Sequence, residues 1–186
     1  MLIQIVSLLL NIACGLITGA CLLRLYMQMQ RVPFSNPVGQ LVFALSDWLV
    51  VPLRRIVPAG SRVDLSCLLG AYLAQLVQYV VLALFAGVGS AIVSAVLMAM
   101  FGVIHVAVTG MMGLIIVSAI LSWVQAHTPV SGVLARLTEP VLRPIRRYVP
   151  LLGGIDFSPL IALVVLQVLM IVLSHVQASL LQLAFI

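Results

Sequence analysis

Four stretches of the chain are apolar and free of formal charge for long enough to matter. They run from residue 2 to 23, from 65 to 88, from 89 to 123, and from Pro159 to about Leu181. A helix needs about 20 such residues to cross a bilayer, so each stretch qualifies. The third is too long for one upright helix, and Gly87-Val88-Gly89-Ser90 is the strongest turn signal at its start. The pattern therefore predicts a third span over 101–123, preceded by an interfacial or extended helical turn over about 91–101. The first stretch has no basic residue ahead of it and no Ala-x-Ala site after it, so we read it as a retained span and not a cleaved signal.

Two shorter segments repeat apolar positions at helical spacing. In the first, Ser35-Asn36-Pro37 supplies a capping residue followed by proline at the first helical position. Val38, Leu41, Val42, Leu45 and Leu49 then form one stripe, and Pro52 is expected to end the helix. In the second, Thr128-Pro129 opens the helix, Val130, Val133, Leu134, Leu137 and Val141 form the stripe, and Pro140 and Pro144 are expected to break it early. About 15 residues (37–51 and 129–143) rise roughly 22 Å, less than a hydrocarbon core of about 30 Å. Such a segment is a helix lying in the interface or a shallow re-entrant hairpin.

Sliding the chain against itself by 92 positions aligns these segments without a gap. Pro37-Val38 falls on Pro129-Val130, Leu45-Ser46-Asp47 on Leu137-Thr138-Glu139, and Pro52-Leu53-Arg54-Arg55 on Pro144-Ile145-Arg146-Arg147. Val57-Pro58 matches Val149-Pro150, Asp64 matches Asp156, Ser66 matches Ser158 and Gln75 matches Gln167. Polar and proline matches in that number at one offset mark a tandem duplication. The predicted fold is all-α and polytopic: four transmembrane helices as a parallel tandem repeat, residues 1–90 and 91–186. Each unit has a span, a short amphipathic helix, a basic Pro-x-Arg-Arg-x-Val-Pro elbow and a second span. Two spans per unit make the units parallel, unlike the inverted repeats of many secondary transporters.

Composition agrees with the pattern. Of 186 residues 64% are hydrophobic and only 7% charged, where a soluble domain carries about a quarter. All nine basic residues are arginines. Five lie between the first two spans and four between the last two, with none at the termini or between spans two and three. The positive-inside rule then expects both basic segments in the cytoplasm and both termini outside. The net charge of +5 sits in two corners and is not the diffuse basicity that would seek nucleic acid.

The elbows are the sites the sequence singles out: Pro52, Arg54, Arg55, Pro58 and Asp64, with Pro144, Arg146, Arg147, Pro150 and Asp156 in the second copy. Flanking prolines fix a corner, and guanidiniums on it lie where lipid phosphates are, either snorkelling as topology anchors or contacting anionic headgroups and partner proteins. Asp64 and Asp156 precede Ser66 and Ser158, read as caps of the next spans, and are expected to pair with the elbow arginines and brace each elbow against its span. Gln75 and Gln167 either hydrogen-bond between helices or line a narrow polar path. Cys14, Cys21 and Cys67 read as small packing residues. His105 and His175 fall within spans, as packing histidines or axial haem ligands, and His127 at a membrane edge. The chain has no phosphate-binding glycine loop, no zinc-protease motif and no acid within a span, so no metal, cofactor or catalytic residue is assigned.

Pro33-Phe34-Ser35-Asn36-Pro37, Pro52-Leu53-Arg54-Arg55-Ile56-Val57-Pro58, Thr138-Glu139-Pro140 with Pro144-Ile145-Arg146-Arg147, and Gly153-Gly154-Ile155-Asp156-Phe157-Ser158 resemble the YggT family of small bacterial membrane proteins. The resemblance covers nearly the whole chain as two tandem units. It departs from the family pattern at Asp47-Trp48, where an acidic or polar residue is usually followed by proline, and at Ser61-Arg62, where the family has a glycine pair or Gly-Pro. It implies a multi-pass inner-membrane protein without established catalysis, with relatives linked to osmotic-stress tolerance, ion homeostasis, cell division and, in plastids, haem attachment. The expectation is a non-enzymatic scaffold or assembly factor contacting membrane lipids, other membrane proteins or further copies of itself. The alternatives are an oligomeric ion channel and a haem assembly factor.

Overall fold

The computed structural model describes residues 2–57, 64–85, 92–124, 128–147 and 156–184. Within them lie six helices: α1 (Leu2–Met29), α2 (Pro37–Ile56), α3 (Leu65–Phe85), α4 (Ile92–Trp123), α5 (Pro129–Arg146) and α6 (Ser158–Ala184). No strand occurs among the described residues. Four helices contain apolar lengths sufficient to cross a membrane: Gln4–Met29, Leu65–Phe85, Ser94–Trp123 and Ser158–Gln182. The chain is a multi-pass helical membrane protein, with α2 and α5 the two amphipathic helices between spans.

The two halves of the chain pack alike. α1 packs on α2 and α3 as α4 packs on α5 and α6, and α2 meets α3 as α5 meets α6. The units join through α3 against α4, α1 against α4 and α2 against α5. Cys21, Val50, Cys67, Ala71 and Val103 form a core shared by α1 to α4. Met27, Val32, Val42, Val133 and Leu137 tie α2 and α5 together beneath the end of α1, where the Tyr26 hydroxyl also donates to the Leu137 carbonyl at 2.8 Å. A smaller core of Ile115, Leu142 and Ala162 holds α4, α5 and α6. All three cysteines are buried and unpaired, as small packing residues are.

Several expectations are corrected. α4 is one helix of 32 residues, about 48 Å long, with no break near residue 101. No proline interrupts 92–123, and its glycines (102, 110 and 113) cost helix stability without ending it. The α3–α4 turn at 87–90 lies outside the described residues. α2 and α5 run to 20 and 18 residues as single helices, which excludes a re-entrant hairpin within either one. Pro52, Pro140 and Pro144 all sit inside them. Each proline is exposed, and the carbonyls they deprive of a partner, on Trp48, Arg136 and Pro140, belong to exposed residues as well. With these residues on the outer face, the helices continue through the prolines.

The starts match the sequence reading. Asn36 Oδ1 accepts from the Gly39 N–H at 2.9 Å, and Thr128 Oγ1 from the Ser131 N–H at 3.3 Å, with proline next in line in both. α1 ends differently, on Arg31 in the left-handed region (φ 52), with the Val32 N–H bonded to the Met27 carbonyl at 2.9 Å.

Gly39 lets the chain close tightly on α2. A Cβ there would stand 2.4 Å from the Phe34 carbonyl oxygen, whereas one on Gly132 meets nothing within 4 Å. Gly39→Ala should therefore lower stability by about 1–3 kcal/mol, and Gly132→Ala should raise it by up to about 1 kcal/mol. Thermal unfolding in detergent micelles checks both, and a neutral or stabilising Gly39→Ala would contradict the close approach.

Candidate functional site: two arginine–aspartate elbows

Each second span is entered through an aspartate. Arg54 donates from Nε to Asp64 Oδ2 at 2.9 Å and also through Nη2, while Asp64 Oδ1 accepts the Ser66 N–H at 3.1 Å. In the second unit Arg146 Nε donates to Asp156 Oδ2 at 2.9 Å, and Asp156 Oδ1 accepts the Ser158 N–H at 2.9 Å. One carboxylate thus clamps the end of the amphipathic helix with one oxygen and caps the following span with the other. The capping side chains are the aspartates and not the serines: the Ser66 hydroxyl instead donates to the Val57 carbonyl at 2.8 Å. An anion on the first amides of a helix is favoured by the unsatisfied N–H groups and the helix dipole.

The copies differ in depth. Asp64 is fully buried, whereas Asp156 keeps about a quarter of its side chain exposed. In the second copy Arg146 Nη1 also reaches Glu139 at 3.2 Å. Arg55 and Arg147, the second arginine of each pair, are exposed and have no acidic partner among the described residues. Pro58 and Pro150 lie outside the described residues, as do Arg62 and His127.

Burial acts to raise the Asp64 carboxyl. The hydrogen bonds and charge of Arg54, with the Cys67 thiol and the Ser66 amide, outweigh it and hold its pKa below the ordinary value. For Asp156 burial is outweighed by Ser158 and Arg146, again lowering the pKa.

A fourth ion pair, Arg24 with Asp47, was not singled out from the sequence. Arg24, only 4% exposed, donates to Asp47 Oδ1 at 2.6 Å and to Ser46 Oγ at 3.0 Å, with its guanidinium 4.6 Å from the Phe43 ring centroid. It joins α1 to α2 in the first unit. The signal available was a charge sitting within the helical run that extends α1 to Met29. Ile116 stands at the matching position of the second unit, and Glu139, the counterpart of Asp47, turns to Arg146 instead.

The glutamines also separate. Gln75, 3% exposed, donates to Thr18 Oγ1 at 3.1 Å, and Gln78 donates to Asn11 Oδ1 at 2.7 Å, so α1 and α3 are stitched by two amide contacts. Gln167 is exposed on α6 and does not share that role. Its counterpart of Thr18 is Gly110, which offers no hydroxyl. His105 is exposed on α4, and His175 lies exposed with Nδ1 2.9 Å from the Ile171 carbonyl of its own helix. No cluster of three metal-ligating side chains occurs among the described residues.

Asp64→Asn should lower stability by on the order of 2 kcal/mol, since it weakens charge-assisted bonds to a buried group. Asp156→Asn, in a more exposed pair, should cost less than about 1 kcal/mol. Depressed carboxyl pKa values stabilise the fold at pH above the unfolded value of about 3.9 and lose that contribution as pH falls through the folded values. Thermal unfolding between pH 7 and pH 2.5 should show a decline that is smaller in the double Asn variant; an unchanged pH profile would count against the clamps.

The profile of the CCB3/YggT family matches residues 3–85 and 97–177, one match on each unit. The chain is 37% identical over 162 residues to the uncharacterized protein YggT of Escherichia coli K12, covering 87% of this chain and 85% of that one. It is 37% identical over 149 residues to an uncharacterized protein of Vibrio alginolyticus, with 78% and 80% covered. A further uncharacterized protein, from Pseudomonas aeruginosa, is 33% identical over 162 residues, with 84% and 82% covered. No solved structure matches the chain. With both units matched and most of each relative aligned, the chain belongs to the CCB3/YggT family.

Proposed function

We propose that this protein is a non-enzymatic scaffold or assembly factor of the bacterial cytoplasmic membrane, with its elbows in the cytoplasm and both termini outside. One observation carries the reading. In both units an aspartate fixes the first arginine of the Arg-Arg pair against the next span, which leaves Arg55 and Arg147 displayed at the held C-terminal end of each amphipathic helix. An arginine needed only for topology requires no such brace, because a flexible snorkelling side chain satisfies the positive-inside rule equally well. A fixed guanidinium is suited to bidentate contact with phosphates or with acidic groups of a partner. The cellular setting in which we place this role is osmotic-stress tolerance or ion homeostasis.

The buried glutamines support packing over permeation. Gln75 is engaged by Thr18 across α1 and α3, and its repeat partner Gln167 lies on the outer surface of α6.

A photocrosslinking residue at position 55 or 147, activated in native membranes, should capture a defined protein or acidic lipid, with yield reduced when Asp64 or Asp156 is changed to Asn. Absence of any enriched product overturns the scaffold reading. Liposomes containing only this protein should show no ion flux above protein-free vesicles, and a reproducible conductance would establish the channel instead.

A further inference from the structure

The two units meet around a basic groove. A groove of about 470 Å³ opens between the end of α1 and the face of α5, lined by Gln30, Arg136, Glu139, Pro140 and Arg143. The four α5 residues sit at helical spacings of three, four and seven, so they form one stripe, with the two arginines about 10.5 Å apart along the axis. Gln30 reaches the groove because α1 ends there, in the left-handed turn at Arg31.

The groove is lined by two arginines and one glutamate, so positive charge exceeds negative. Glu139 is already bonded by Arg146 at 3.2 Å. Arg136 and Arg143 are exposed and have no acidic partner among the described residues. Two cations therefore face one concave surface, whose far wall is the residue just past the apolar span Gln4–Met29. That depth is the headgroup layer, where a basic pocket beside transmembrane helices meets lipid phosphates.

These arginines are no product of the duplication. Their counterparts in the first unit are Ala44 and Val51, while Asp47 and Glu139 keep an acid at the intervening position. A bias that only set topology would have no reason to place both arginines on one stripe of one unit.

We propose that this groove binds the phosphate-bearing headgroup of one acidic phospholipid per protomer, with Arg136 and Arg143 as its cationic ligands and Gln30 as a neutral donor. Two guanidiniums about 10.5 Å apart along the axis can each take one phosphate, which suits a headgroup with two phosphates, such as a diphosphatidylglycerol, above one with a single phosphate. The proposal does not rest on the scaffold reading, which concerns Arg55 and Arg147.

The test is native mass spectrometry of the full chain in micelles, titrated with diphosphatidylglycerol, phosphatidylglycerol, phosphatidylcholine or inorganic phosphate. The wild type should retain one diphosphatidylglycerol more tightly than phosphatidylglycerol, with little retention of phosphatidylcholine. Arg136→Ala with Arg143→Ala should weaken retention by more than about tenfold, as expected for the loss of charged hydrogen bonds. Glu139→Gln, which removes the negative charge among the groove's described lining residues, should strengthen retention, a gain that misfolding cannot mimic. Undiminished binding by the double variant, weaker binding by Glu139→Gln, or several equivalent lipids lost together with added salt would overturn the proposal. So would inorganic phosphate binding as tightly as the lipid, because the groove would then read a free anion.

Discussion

Everything below the apolar bundle hangs on one economy of charge: a single carboxylate that serves two positive ends at once. Asp64 and Asp156 each take a guanidinium on one oxygen and a span's first free amide on the other. Either partner alone would leave half the carboxylate to be solvated near a surface where water is scarce. Together they fix the angle at which the amphipathic helix meets the following span. The tertiary cores follow from that angle, because α2 and α5 can meet at Val42 and Leu137 only if each is held against its own unit.

Around this shared device the two units have diverged, and the divergence follows burial. The first unit is packed on more sides and carries most of the polar contacts between helices: Arg24 with Asp47 and Ser46, Thr18 with Gln75, Asn11 with Gln78, against Ser118 with Thr138 in the second. Inside a membrane such groups persist only when they find one another. The second unit has Ile116, Gly110 and Val103 at the places of Arg24, Thr18 and Asn11, and α6 stays at the periphery against α4 and α5. Its charge has moved outward, onto Arg136, Glu139 and Arg143.

The spans and the arginine–aspartate pairs were legible in the sequence because each depends on local pattern. Length and apolarity define a span, and proline, arginine and aspartate recurring at one offset define the elbow. Helix ends were less legible. Pro52, Pro140 and Pro144 signal termination, but that rule assumes the orphaned carbonyl is buried, and here all three lie on an outer face. The serines read as caps gave way to aspartates two residues earlier, which offer a charged acceptor to the same amides. Arg24 was passed over because its partner Asp47 lies on another helix, and no periodicity encodes a contact between helices. Gln75 and Gln167, equal in sequence, differ only in what faces them, which depends on how the bundle packs.

α4 has a geometric consequence for the lipid around it. A helix of about 48 Å tilted by as much as 40° still exceeds a hydrocarbon layer of about 30 Å by roughly 9 Å, some six residues. Its apolar length, Ser94–Trp123, extends almost to both ends, so the surplus is not water-loving. The bilayer beside α4 must therefore swell to meet it or the surplus must be sheathed by headgroups. Either way the protein imprints a local thickness on its membrane. The neighbour packed on α4, α3, with 21 residues or about 32 Å, already matches that layer, so the surplus is confined to the α4 side of the bundle.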